Sequence, residues 1–158
     1  MVHPLIGIHA AFGEIGAFAF LWVLVELLNP SEERIRRAKI AAVVGVVFLF
    51  LSWVTAGYYY VNIYGADVKP MIKAGPAPWA HKIFTETKEH LFIFLPFLSI
   101  LTAGLIFKYK DELIENKGAK LSVLLLSGLV FLIALSMAGM GYIISMGARA
   151  ALEAGVVA

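Results

Sequence analysis

The 158-residue chain contains no cysteine. That excludes disulfides, thiolate-ligated iron–sulfur clusters and a covalently attached c-type haem. Charge is also scarce. Charged residues make up 15% of the chain, against roughly 25% in water-soluble domains. The net charge of +2 is too small to argue for a nucleic-acid partner. The sequence has no phosphate-binding glycine loop, no His-Glu-x-x-His zinc motif and no Gly-x-Ser-x-Gly nucleophile turn. A stand-alone hydrolase and a nucleotide-driven pump are therefore disfavoured. The paired buried carboxylates and interrupted half-helices of an ion-coupled transporter are missing as well.

What is abundant is apolar surface. Hydrophobic residues make up 61% of the chain, and its mean hydropathy is +0.86. Runs of about 20 apolar residues can cross a hydrocarbon core of roughly 30 Å. Four segments qualify: 4–28, 40–61, 90–107 and 121–146. The expected fold is all-α, a single four-helix transmembrane bundle that uses the whole chain. The first span is too long for a signal peptide and lacks a small-residue cleavage site, so it is expected to remain as a helix.

Basic residues set the expected orientation. Arg34, Arg36, Arg37 and Lys39 lie in the first loop, and Lys108, Lys110, Lys117 and Lys120 in the third. Together they are eight of the 13 Lys and Arg residues. The positive-inside rule places both loops in the cytoplasm of a prokaryotic cell, with both termini and the 62–89 loop outside. Tyr58, Tyr59, Tyr60, Tyr64 and Trp79 are expected to anchor the outer interface. Asn29-Pro30-Ser31 separates the first two helices and offers a cap to the second. Lys69-Pro70 and Gly75-Pro76-Ala77-Pro78 are expected to interrupt helix. Trp79 to Glu89 reads as a surface helix or an extension of the third span, and Pro96 as a kink within it.

All four histidines of the chain, His3, His9, His81 and His90, fall near the outer side. His9 shares a helix face with Gly13 and Gly16, where a neighbouring backbone or a flat porphyrin can approach closely. His90 heads a face that continues through Phe94, Phe97 and Leu101. Two imidazoles on separate helices can ligate one six-coordinate haem from opposite sides. The expected axial pair is His9 and His90, with Gly13 and Gly16 lining the porphyrin. His3 and His81 are either exposed interfacial residues or the ligands of a second haem. Glu14, within the first span, is a candidate proton acceptor for quinone chemistry or a helix–helix hydrogen bond. Glu26 is expected to snorkel to the inner interface. Lys82 and Lys88 are candidates for pairing with haem propionates, or ordinary exposed lysines. Met137 and Met140 are more consistent with packing than with ligation. Ala134, Ala138, Gly141 and Ser145 form a ridge suited to close helix packing.

On these residues the chain resembles the broad class of four-helix membrane b-type cytochromes, in which histidines come from two helices. Its opening, His3-Pro4-Leu5-Ile6-Gly7-Ile8-His9, also resembles that of an uncharacterised group of small bacterial four-helix membrane proteins. The resemblance implies one haem b, or two, exchanging electrons between a quinone and an outer redox protein such as a multihaem cytochrome. No histidine lies on the inner side, so it does not extend to electron transfer across the whole membrane by this chain alone. The expected setting is a multi-subunit complex in the plasma membrane. Two other readings remain: a non-redox structural subunit, and a copper- or zinc-handling protein using the outer histidines and Met71.

Overall fold

A computed structural model of the chain describes residues 3–156. Those residues include four helices long and apolar enough to cross a membrane. We name them α1 (Pro4–Leu28), α2 (Glu32–Ala74), α3 (Ala80–Lys108) and α4 (Lys117–Glu153). In hydrocarbon a chain must satisfy its own backbone hydrogen bonds, and helices do so within each segment. α1 packs against α2 and α4, and α3 packs against the same two. The helices thus form a ring, with α1 and α3 on one diagonal.

Local sequence fixes the helix ends. The His3 side chain caps α1, and Pro4 occupies its first turn, where the missing N–H would have no partner anyway. The Ser31 hydroxyl accepts from the Arg34 N–H, with Glu32 and Glu33 in the first turn of α2, as the helix dipole favours. Asn116 caps α4 by accepting from the Ala119 N–H at 3.0 Å.

Three helices outrun the expected spans. At 1.5 Å per residue, the 43 residues of α2 reach roughly 65 Å and the 37 of α4 roughly 56 Å. Lys69-Pro70 does not stop α2. A π-helical stretch, Tyr60–Val68, precedes it, and the Lys69 N–H bonds back to the Tyr64 carbonyl. This shifted ladder delivers Pro70 into the first turn of the segment Lys69–Ala74, where no intrahelical donor is required. Gly75 does end the helix, in extended conformation. α3 also opens with a π-helical stretch, Ala80–Thr85, so the 79–89 region is an extension of the third span. Pro96 lies inside α3 without ending it. Ser99 bonds to the Pro96 carbonyl at 2.6 Å, and Thr102 to that of Leu98 at 2.8 Å.

The extensions build a cap at the histidine end. Tyr64, Ile72 and Ala80 form its core, with Ile143, Ile144 and Ala148 of α4 packed against them. Small residues seal it: a Cβ on Gly75 would meet that of Ala151 at 2.6 Å, and one on Gly147 would meet that of Ala80 at 2.6 Å.

The α1–α2 seam is the most extensive helix contact. A Cβ on Gly16 would meet the Leu49 side chain at 2.8 Å, and one on Gly45 would meet the Phe20 ring at 2.6 Å. At the opposite, basic end Glu26 does not snorkel. It is 7% exposed and accepts from Trp22 Nε1 at 2.9 Å, Arg34 Nε at 3.0 Å and Arg37 Nε at 2.7 Å. The proposed ridge on α4 is not a seam within this chain: Ala134 is buried, but Ala138 and Ser145 are exposed.

Gly45→Leu is expected to lower the stability of the solubilised protein by about 1–3 kcal/mol, the usual range for overpacking. Gly128→Ala, whose new Cβ would meet only Leu24 at 4.0 Å, should leave the melting midpoint unchanged or higher. Equal destabilisation by both substitutions would contradict the packing described here.

Candidate functional site

The histidine end gathers most of the polar side chains that meet inside the protein. They form two layers. In the lower layer, His9 of α1 meets Ser52 of α2. The His9 Nδ1 lies 3.0 Å from the Ser52 carbonyl oxygen and 2.8 Å from Ser52 Oγ. The Ser52 hydroxyl in turn donates to the His9 carbonyl at 3.0 Å. In the upper layer, the buried His81 and Tyr64 meet at 3.0 Å, and Tyr64 meets Thr85 at 2.9 Å. Beside them Tyr60 donates to Glu89 at 2.6 Å. The His3 ring packs against Tyr59 with centroids 5.6 Å apart.

Hydrogen-bond logic assigns the histidine protons. A carbonyl can only accept, so the His90 Nδ1, 2.7 Å from the Glu86 carbonyl oxygen, must carry a proton. The same holds for His9 on the Ser52 carbonyl. For His81 the chain of bonds decides. Thr85 donates to the Ala80 carbonyl, so it accepts from the Tyr64 hydroxyl, and the Tyr64 oxygen accepts from His81 Nδ1. In the neutral state all three rings therefore leave Nε2 bare. His3 is the opposite tautomer, because its Nδ1 accepts from the Leu5 N–H at 3.3 Å. A ring held by Nδ1–H on a carbonyl, with Nε2 free, is the usual preparation of a metal-ligating histidine.

The structure does not bring His9 and His90 together. They sit on diagonally opposed helices. His9 is turned into the α1–α2 seam, whereas His90 is exposed. Below His90 the expected porphyrin stripe also faces outward, with Phe94 52%, Phe97 55% and Leu101 53% exposed. The reason lies in α3 itself. Lys88 points inward, and His90 follows it by two residues, or about 200° around the helix. Gly13 and Gly16 do not open a cleft beside His9. A Cβ on Gly13 would meet Ser52 Oγ at 3.2 Å, and Gly16 is covered by Leu49. Glu14 is exposed on the outer face of α1. His81 is 2% exposed, held within the cap and away from the bundle axis. Lys82 is exposed, and Met71 and Met137 are buried in packing.

Among the described residues, no three His, Cys, Asp or Glu side chains lie close enough to hold a metal ion together. A single bis-imidazole haem between His9 and His90 does not fit this arrangement. His90 fits as one half of such a site: it offers a bare Nε2 above an apolar, aromatic, outward-facing surface.

Ser52, Tyr64 and Thr85 went unnoticed as partners in the sequence. Ser52 was detectable as one of two hydroxyl residues in an otherwise apolar run before the tyrosines. Tyr60 and Tyr64, and likewise His81 and Thr85, are spaced by four residues, which puts each pair on one helix face.

Comparison with known proteins adds no relative: no family model, curated protein or solved structure matches the chain.

The proton assignment is directly measurable. In protein labelled with 15N-histidine, the neutral-state shifts of His9, His81 and His90 should report an unprotonated Nε2, and that of His3 an unprotonated Nδ1. Tyr64→Phe should destabilise the protein by about 1–3 kcal/mol, because it strands the His81 and Thr85 groups. A Tyr64→Phe protein that melts like the parent would remove the relay from the account.

Proposed function

We propose that the chain is an integral subunit of a larger membrane redox complex. In this reading His90 ligates a haem b at the surface where a neighbouring subunit packs on α3. The observation that carries it is the exposed His90, with Nδ1 fixed on the Glu86 carbonyl and Nε2 free above Phe94, Phe97 and Leu101. A haem held there supplies reversible one-electron exchange with a quinone or with an outer redox protein. The residues of this chain bind and orient it. The Glu86 carbonyl sets the imidazole plane, and the aromatic stripe provides a dry surface for a flat macrocycle. The neighbouring subunit would supply the rest of the haem pocket.

Glu14 supports the multi-subunit setting. It lies ten residues into a 25-residue helix on an exposed face. Ionisable groups within spans normally face a protein interior or a water-filled cavity. An outward Glu14 therefore argues that another polypeptide covers this part of α1. The same residue favours a second reading, a non-redox structural subunit, in which the histidines serve only packing and capping.

The orientation proposed is both termini outside and the two basic loops in the cytoplasm of a prokaryotic cell. The absence of cysteine makes this simple to test. In intact cells an impermeant maleimide should label Lys82→Cys, and should label Arg36→Cys and Glu115→Cys only after permeabilisation. The reverse pattern would invert the topology.

A reduced-minus-oxidised spectrum of the complex purified through this chain tests the redox reading. A b-type signal is expected, and His90→Ala should lower haem content at least about tenfold, the lower end of the usual loss for an altered metal site. A haem-free complex, or unchanged haem in His90→Ala, leaves the structural-subunit reading.

A further inference from the structure

We infer that the histidine-end half of the bundle interior contains a binding site for a single anionic group, with Lys88 supplying the charge. The site is distinct from the His90 surface, because Lys88 lies on the opposite side of α3. Its ammonium reaches across to α4, where a Cβ on Gly141 would come within 3.0 Å of Nζ. A residue with any side chain at position 141 would crowd the amine.

The described residues provide no counter-ion. Lys88 makes neither an ion pair nor a hydrogen bond among them. Its side chain is half-buried. Glu89, next in sequence, is turned to Tyr60, and Glu86 is exposed.

A second donor lacks an acceptor as well. Trp53 Nε1 is buried and has no hydrogen-bond partner, an uncommon state for a buried N–H. Its ring stacks on Phe92 with centroids 5.7 Å apart. Phe92 lies one turn below Lys88 on the same face of α3. The ammonium and the indole N–H are therefore neighbouring donors, neither with an acceptor among the described residues. A cation drawn partly out of water is stabilised by a partner of opposite charge, and an anion supplies the one that half-buried Lys88 lacks. The matching chemistry is a halide-sized inorganic anion or the carboxylate of an amphiphile entering from the lipid.

Thermal unfolding of the purified full chain in nonionic detergent tests the site, with gluconate as the reference salt and bromide or dodecanoate titrated in. Saturable stabilisation is expected from one of them, reaching roughly 5 °C at a hundredfold excess over Kd. Bromide alone identifies an inorganic site, and dodecanoate alone a carboxylate-lipid site. Lys88→Met should abolish the response while melting in gluconate at or above the parent temperature, which shows that it folds. Lys88→Arg should retain the response, and Trp53→Phe should weaken it. An absence of saturable stabilisation by either anion, or an unchanged response in Lys88→Met, would overturn the site. Neither result depends on haem, so the outcome is separable from the redox reading.

Discussion

The seam between α1 and α2 is the contact on which the rest of the molecule depends. It runs antiparallel through a continuous series of pairs. His9 meets Ser52 at one end, Gly16 takes Leu49, Phe20 covers Gly45, and Glu26 holds Arg34 and Arg37 at the other. The middle pairs allow close approach because one partner lacks a Cβ. The end pairs are polar and directional, and they lock the register that the glycines permit. With no hydrophobic driving force between helices in lipid, such packing and hydrogen bonding carry the association. Ala38, Ala41 and Ala42 are fully buried, so α2 stays thin towards the basic end as well.

The four spans were legible in the sequence because long apolar runs leave few alternatives. Their ends were not. The run 40–61 marks only the apolar stretch, whereas α2 continues as helix through more polar sequence to Ala74. Lys69-Pro70 looked like a stop because proline blocks an α-helical ladder. The π-helical stretch before it shifts that ladder by one residue and removes the conflict. Glu26 read as a snorkelling residue because the arginines that hold it follow a turn, eight and eleven residues later.

The candidate site was half legible. That all four histidines lie at one end follows from counting residues along four antiparallel spans. Which way each faces does not, because between His90 and Phe107 α3 carries only two polar side chains, Ser99 and Thr102, and both bond to carbonyls of their own helix. Phe94, Phe97 and Leu101 could equally line a core or meet lipid. The one informative neighbour was Lys88, whose inward turn sends His90 outward. The proton positions were beyond the sequence altogether. They depend on Glu86, Ser52 and Tyr64 offering specific oxygens to specific nitrogens, and they separate His3 from the other three.

The cap joins parts of the chain that are synthesised far apart in time. Gly75 rests on Ala151 and Ala80 on Gly147, so the cap cannot close before α4 has been inserted. The α1–α2 hairpin has no such dependence, since its clamp and its glycine contacts lie within the first 52 residues. Biogenesis should therefore be sequential: an early hairpin seated in the bilayer, an α3 awaiting its second neighbour, and a late α4 that completes the ring and the cap together. Until that last step the histidine-end parts of α2 and α3 lack the surface that buries Ile72 and Ala80. A ribosome stalled before α4 would leave them open to the quality-control proteases of the membrane surface.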